Sequence, residues 1–416
     1  MKNGWQHKRI GDLCQVIAGQ SPEGKFYNTD GKGIPFYQGK KDFGEKFIED
    51  PTTWTTQATK IARKGDILMS VRAPVGPVNF ATNEVCIGRG LAAIRGRGEI
   101  NRDFLFYQLL HLQPEIAGKE GAVFASINKA AIEALPIAFA APSEQQRIVA
   151  ILDGAFEGIA NAKANAKRSL QNVRELFRST LYAALSGGLP SDWREDRSPA
   201  KESHPHLDGS NCDGGRIGWG SRDLESLLIE GRKISYGIVK PGRHDPTGVR
   251  LIKSQQVRDD TMDLSANFRI TKALDEEYAR TRLRGGEILL NLVGASIGRS
   301  AIAPKELRGA NVSRAIAVIP VRHELSPWIQ YSLRGPVGQS LIQSKTGGSA
   351  QPVLNLSVVK KLTIPFPPLG EQQAIVKKLD ALSEATQRLE SIYRRKLAAL
   401  EVLKKSLMHQ AFSGSL

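Results

Sequence analysis

The chain has 416 residues, with 58 Lys and Arg against 42 Asp and Glu, a net charge of +16 and a pI near 9.7. Hydrophobic residues make up 41% of it at a mean hydropathy of −0.28, and no apolar run approaches the length of a membrane span. Met1-Lys2-Asn3-Gly4-Trp5 opens without an apolar signal region, so a membrane protein and a secreted one are excluded and a cytoplasmic address is expected. Three cysteines are too few and too scattered for a disulfide framework, and a metal site from Cys212 with His204 and His206 is disfavoured.

Residues 1–143 read as a mixed α/β (α+β) domain. Strands are predicted at Asp66–Val71 and Gly90–Ile94, and a short helix at Arg102–Leu112 with Phe104, Tyr107 and Leu110 or His111 on one face. Gly19-Gln20-Ser21-Pro22-Glu23-Gly24-Lys25 begins like a phosphate-binding loop, but Phe26 stands where a magnesium-binding hydroxyl belongs and turn formers follow. No Gly-x-Ser-x-Gly elbow, His-Glu-x-x-His pair or convincing cofactor turn occurs, so the chain is expected to catalyse nothing itself.

A long helix is predicted from 144 to 185, with Ser143 and Gln146 set as a capping box. Its apolar or small residues recur at three- and four-residue steps through Ile148, Leu152, Ile159, Leu170, Val173 and Leu176. Residues 186–216 form a polar linker, and 217–370 repeat the order of the first domain. A second long helix, 371–412, carries Ile375, Leu379, Leu382, Leu389, Tyr393, Leu397, Leu400 and Leu403 in the same slots, with Gly370 at its cap.

The repeat is the strongest signal in the chain. Glu144-Gln145-Gln146-Arg147-Ile148-Val149-Ala150-Ile151-Leu152-Asp153 returns as Glu371-Gln372-Gln373-Ala374-Ile375-Val376-Lys377-Lys378-Leu379-Asp380, seven of ten positions identical at an offset of 227. Gly65–Met69 matches Gly286–Leu290, Ile87-Gly88-Arg89 matches Val312-Ser313-Arg314, Ile127-Asn128 matches Leu354-Asn355, and Leu185–Leu189 matches Phe412–Leu416. Each helix would be on the order of 60 Å long at ~1.5 Å per residue and needs a partner of equal length, so the two are expected to pair antiparallel as a coiled coil.

Charge is uneven along this plan: +6 over residues 1–190, −2 over 191–216 and +12 over 217–416. A basic excess on both repeats favours a polyanion, because each Lys or Arg set on a phosphate releases a condensed counterion. Candidate DNA contacts are Tyr37, Gln38, Lys40 and Lys41 with Ser70, Arg72 and Arg89 in the first repeat. The second repeat offers Lys253, Gln255, Gln256, Arg258, Asn291, Ser296, Arg299 and Arg314. Gln and Arg form paired hydrogen bonds to adenine and guanine in the major groove, and Lys253 and Arg299 are expected on phosphates.

Two variable halves, each followed by Glu-Gln-Gln-x-Ile-Val-x-x-Leu-Asp and a closing Phe/Leu-Ser-Gly-x-Leu, resemble the specificity subunit of type I restriction-modification systems over the whole chain. The resemblance implies two target-recognition domains that read a split, asymmetric site in double-stranded DNA, at the ends of an antiparallel coiled coil that fixes their spacing. It also implies docking of two methyltransferase subunits and of motor-nuclease subunits, with S-adenosylmethionine, ATP and magnesium on those partners and no cofactor on this chain. The alternative is a helical scaffold whose globular ends bind proteins. Helix one has Ala155, Ala162 and Ala166 where helix two has Leu382, Leu389 and Tyr393, so the docking faces cannot be identical.

Overall fold

A computed structural model describes residues 5–117, 126–188, 219–259, 261–345 and 353–416. Cys212, His204, His206 and most of the linker lie outside them. The described chain is mixed helix and sheet in two tandem repeats, as expected, and it divides into two compact units: Met1–Arg168 with Tyr393–Leu416, and Ser169–Ile392. Each unit therefore contains a segment of both long helices, Pro142–Leu185 and Leu369–Ser413.

In the first unit, an antiparallel four-stranded sheet runs in the order Cys14–Ala18, Leu91–Gly96, Ile67–Ser70, Val78–Phe80. A second sheet is built around the parallel pair Ile34–Tyr37 and Val85–Ile87, with Phe36 opposite Cys86 and Tyr37 opposite Ile87. Gln6–Arg9 pairs with Pro136–Phe139 in a two-stranded sheet. The domain helix spans Arg102–Ile116, longer than the sequence predicts, and Asn101 caps it by accepting from the amides of Asp103 and Phe104. Its Phe104, Phe106 and Leu109 pack on Ile67, Met69, Val78 and Ile94.

The second unit repeats this topology. Ser235–Tyr236, Ile316–Ile319, Ile288–Asn291 and Ser300–Ile302 form the antiparallel four-stranded sheet. Val249–Ile252 runs parallel to Asn311–Val312, and Gly220–Asp223 pairs with Thr363–Phe366. Trp328, Ile329 and Leu333 of the helix Ser326–Arg334 fill the core over Ile288, Leu290 and Ile319.

The repeated ten-residue motif anchors each long helix to its own domain. Ile148 and Leu152 are buried in the first core, Ile375 and Leu379 in the second, each worth about 1.5–3 kcal/mol of apolar burial. Gln145 is fully buried: its Oε1 accepts from the Asn101 amide at 2.7 Å, and its Nε2 donates to the carbonyls of Ala140 at 2.8 Å and Glu99 at 3.2 Å. Gln372 donates to the Pro367 carbonyl at 2.7 Å, while its buried Oε1 meets no partner among the described residues. The motif's last residue takes a tyrosine hydroxyl in both copies, Tyr107 on Asp153 and Tyr331 on Asp380, the latter at 2.7 Å. Lys46 adds to the first of these at 3.0 Å from Asp153 and 3.2 Å from Asp103.

Both helices begin earlier than the sequence predicts. Pro142 takes the first helical position, where its missing N–H costs nothing, and Ala141 accepts the first helical amides, so Ser143 lies inside the first turn and is not the cap. In the second copy Pro368 and Leu369 hold the corresponding places, and Gly370 is likewise internal.

Within each unit the two long helices run antiparallel. In the first, Arg147 donates to the Leu416 carbonyl at 2.9 Å, Lys404 lies 5.0 Å from the Phe156 ring centre, and Lys163 meets Glu401 at 2.5 Å. Number rises on one helix as it falls on the other. In the second unit Arg174 forks onto Glu390 at 2.8 and 3.2 Å, and Leu181, Ala184 and Leu185 share one core with Ile375 and Leu379. The seam follows Ile148, Leu152, Ile159, Ala166, Leu170, Val173 and Phe177 on one helix, and Ile375, Leu379, Ser383, Thr386, Glu390, Tyr393, Leu397, Leu400, Lys404 and Leu407 on the other. Leu176, Leu389 and Leu403 are corrected: they are 60%, 41% and 46% exposed and stand off the seam, and half-buried Leu382 sits at its flank.

Candidate nucleic-acid interface

Backbone hydrogen bonds draw four loops of each repeat together at the end of its sheets, and the pattern is the same twice. In the first repeat, Gln20 N–H donates to the Ile87 carbonyl and Gly88 N–H to that of Tyr37, Val71 N–H to that of Gly90, and Ile127 N–H to that of Val71. In the second, Ile238 donates to Val312, Ser313 to Ile252, Leu292 to Ala315, and Leu354 to Leu292. These bonds set the repeats in register. Gln38 corresponds to Lys253, Ser70 to Asn291, Arg72 to Val293, and Arg89 to Arg314.

A glycine makes each loop junction possible. A Cβ on Gly19 would lie 2.2 Å from the Gly88 carbonyl oxygen, and one on Gly237 would lie 1.8 Å from that of Val312. The next strand leads into a short 3-10 turn, Lys40–Asp42 in one repeat and Ser254–Gln256 in the other, and then into a tight hairpin. Gly39 is one residue extra in the first copy, so Lys41 stands where the second has Gln255.

Four of the sequence-predicted contacts turn inward, and for them the expectation is corrected. Tyr37 is buried with its hydroxyl on the Glu49 carbonyl at 2.8 Å; burial first, then Asp42 and Asp50, pushes its pKa up to about 12. Buried Gln256 closes its own turn, accepting from the Lys253 amide at 3.0 Å and donating to the Asp263 carbonyl at 3.1 Å. Asn291 is fully buried and donates to the Ser254 carbonyl at 2.9 Å, and Ser70 is buried with its hydroxyl on the Arg72 carbonyl at 3.2 Å. These residues brace the loops.

Others are exposed, as Arg258 and Lys41 are, or half-buried, as Lys253 and Arg299 are, but engaged. The Lys253 ammonium lies 3.7 Å from the Phe268 ring centre, Arg258 reaches Asp263 at 3.4 Å, Arg299 reaches Asp259 at 3.8 Å, and Lys41 reaches Asp42 at 3.8 Å. Such surface pairs are worth little and can exchange for a phosphate. Gln38, Lys40, Arg72, Gln255, Arg89 and Arg314 are exposed, and Ser296 is half-buried in its turn. The loops at Gln20 and Tyr236–Lys240 join the cluster without having been expected from residue type; Tyr236 is 44% exposed and Lys240 exposed beside it. The shared glycine at 19 and 237 was the available signal.

Among the described residues no group of three or more His, Cys, Asp or Glu is placed to hold a metal, and no helix is long and apolar enough to cross a membrane.

A family model for the type I restriction modification DNA specificity domain matches residues 2–170 and 246–398. The chain is 36% identical over 181 residues to a protein of Methanocaldococcus jannaschii named as the specificity subunit of type I restriction enzyme MjaX, covering 42% of each. It is 27% identical over 278 residues to the type I restriction enzyme EcoBI specificity subunit of Escherichia coli, covering 66% of this chain and 57% of that one. These alignments thus span about half the length of the relatives. A solved chain from work on complex assembly and conformational transition of the type I R-M system superposes over all of this chain and 99% of its own, with a TM-score of 0.75 at 19% identity.

Proposed function

The chain belongs to the type I restriction-modification DNA specificity family, and from that premise we propose that it reads a bipartite, asymmetric target in double-stranded DNA and performs no chemistry itself. One observation carries the reading: a single loop framework occurs twice, yet the side chains it carries differ, Gln38 against half-buried Lys253, Arg72 against half-buried Val293, and Lys41 against Gln255. Two readers of one design with different fingers suit two half-sites of different sequence.

The long helices are the docking surface for methyltransferase and motor-nuclease subunits, which would bring S-adenosylmethionine, ATP and magnesium. Exposed Leu176, Leu389, Ile392, Val402 and Leu403, off the seam, suit burial against such partners. Helix length would set the spacer between half-sites. Methylome sequencing of a host with and without the gene tests the proposal: a split motif with unlike halves should appear with the gene. An uninterrupted motif, or none, refutes it.

A further inference from the structure

Among the loop positions that backbone hydrogen bonds place in register, the side chains that reach the surface wholly or in part change from one repeat to the other at Gln38/Lys253, Lys41/Gln255 and Arg72/Val293. Arg89 and Arg314 do not change. Both are exposed, and neither guanidinium is engaged in a hydrogen bond or ion pair among the described residues. Each main chain is pinned to the same neighbouring loop, Arg89 N–H donating to Ser21 Oγ at 3.2 Å and Arg314 N–H to the Ile238 carbonyl at 2.8 Å.

The flanks of Arg89 are fixed as well. A Cβ on Gly90 would lie 2.3 Å from the Gln38 carbonyl oxygen, and one on Gly88 would lie 3.0 Å from Phe36 and from Ser21. The base edges of two unlike half-sites differ, whereas the phosphodiester backbone is the same in both. A residue that holds its identity and its place across two readers is therefore matched to what the half-sites share.

Resting on the reading of the chain as a DNA-recognition subunit, we propose that Arg89 and Arg314 are equivalent phosphate clamps that register each domain on the duplex, while the divergent positions around them, exposed Gln38 and Gln255 foremost, carry the base preference. A phosphate is met by charge, so lysine should replace either arginine. Guanine read by a forked guanidinium would not accept that exchange as readily.

The test measures binding of the full chain, and of its Arg89→Ala, Arg314→Ala, Arg89→Lys and Arg314→Lys variants, to a duplex carrying the methylome-derived target and to a scrambled duplex, across salt. Each alanine variant should lose affinity equally on both duplexes and lower the salt slope by ~0.9. Its deficit against the parent should then shrink about 3.5-fold between 50 and 200 mM salt, and each lysine variant should restore the slope. An unchanged slope, or a loss confined to the target and not rescued by lysine, overturns the proposal while leaving the DNA-recognition reading in place. A parent chain that does not prefer the target duplex overturns that reading itself.

Discussion

Gln145 and Gln372 occupy the same place in the repeated motif, but they are not worth the same. Gln145→Leu keeps the volume and strips three backbone groups, Asn101 N–H and the Ala140 and Glu99 carbonyls, of their partner. At ~1 kcal/mol or more for each buried group left unsatisfied, the loss should be about 3 kcal/mol. Gln372→Leu removes one hydrogen bond, to Pro367, and with it a buried Oε1 that has no partner among the described residues, so its loss should be ~1 kcal/mol or less. Amide hydrogen exchange followed by peptide separates the two units, which a single melting curve would blur. Protection in the first turns of helix one and around Asn101 should fall about 150-fold in Gln145→Leu, while Gln372→Leu changes its own unit roughly 5-fold. Equal losses in the two variants would refute the claim that the buried amide's partners, and not the motif's identity, set the strength of the anchor.

Phe177→Ala should cost at least ~1 kcal/mol more than Leu176→Ala in chemical denaturation, because Phe177 packs on the second core and Leu176 is 60% exposed; the reverse order would restore the sequence-derived seam. Lys163 and Glu401 should be joined within one chain by a zero-length amine–carboxyl crosslinker, since their 2.5 Å ion pair holds the two reacting groups in contact; failure in the folded protein contradicts the antiparallel register. His111 stacks on Phe412 and lies 5.8 Å, ring to ring, from His409; burial first, then His409, holds its pKa below the ordinary 6.5. The unfolded state then binds more protons than the folded one as pH falls through 6.5, so stability of the first unit should drop below that pH, and His111→Gln should flatten the drop seen in its unfolding midpoint.

Much of this architecture was readable in the sequence because periodicity and repetition are local signals. The long helices, their antiparallel sense and the tandem mixed α/β repeats follow from apolar spacing and the internal match. The phase of the seam did not, since leucines draw the eye: Leu382, Leu389 and Leu403 outrank Ser383, Glu390 and Lys404 in hydrophobicity, yet polar side chains with apolar stems hold the inner positions. The interface was half legible. Its loops could be located from the repeat, but Tyr37, Gln256 and Asn291 look like readers by residue type and are structural by placement. Their partners, the carbonyls of Glu49, Asp263 and Ser254, become neighbours only through the hairpin after the 3-10 turn and the packing of one sheet on the other.

The first core is closed by residues from the far end of the chain, with Ala411 buried in it and Leu407, Phe412 and Leu416 packed against it. A ribosome making this protein therefore releases a complete second unit before the first can finish. Removing residues 393–416 would strip the first unit of part of its core, exposing the apolar bed around Phe104 and Leu152, and take nothing from the core of the second.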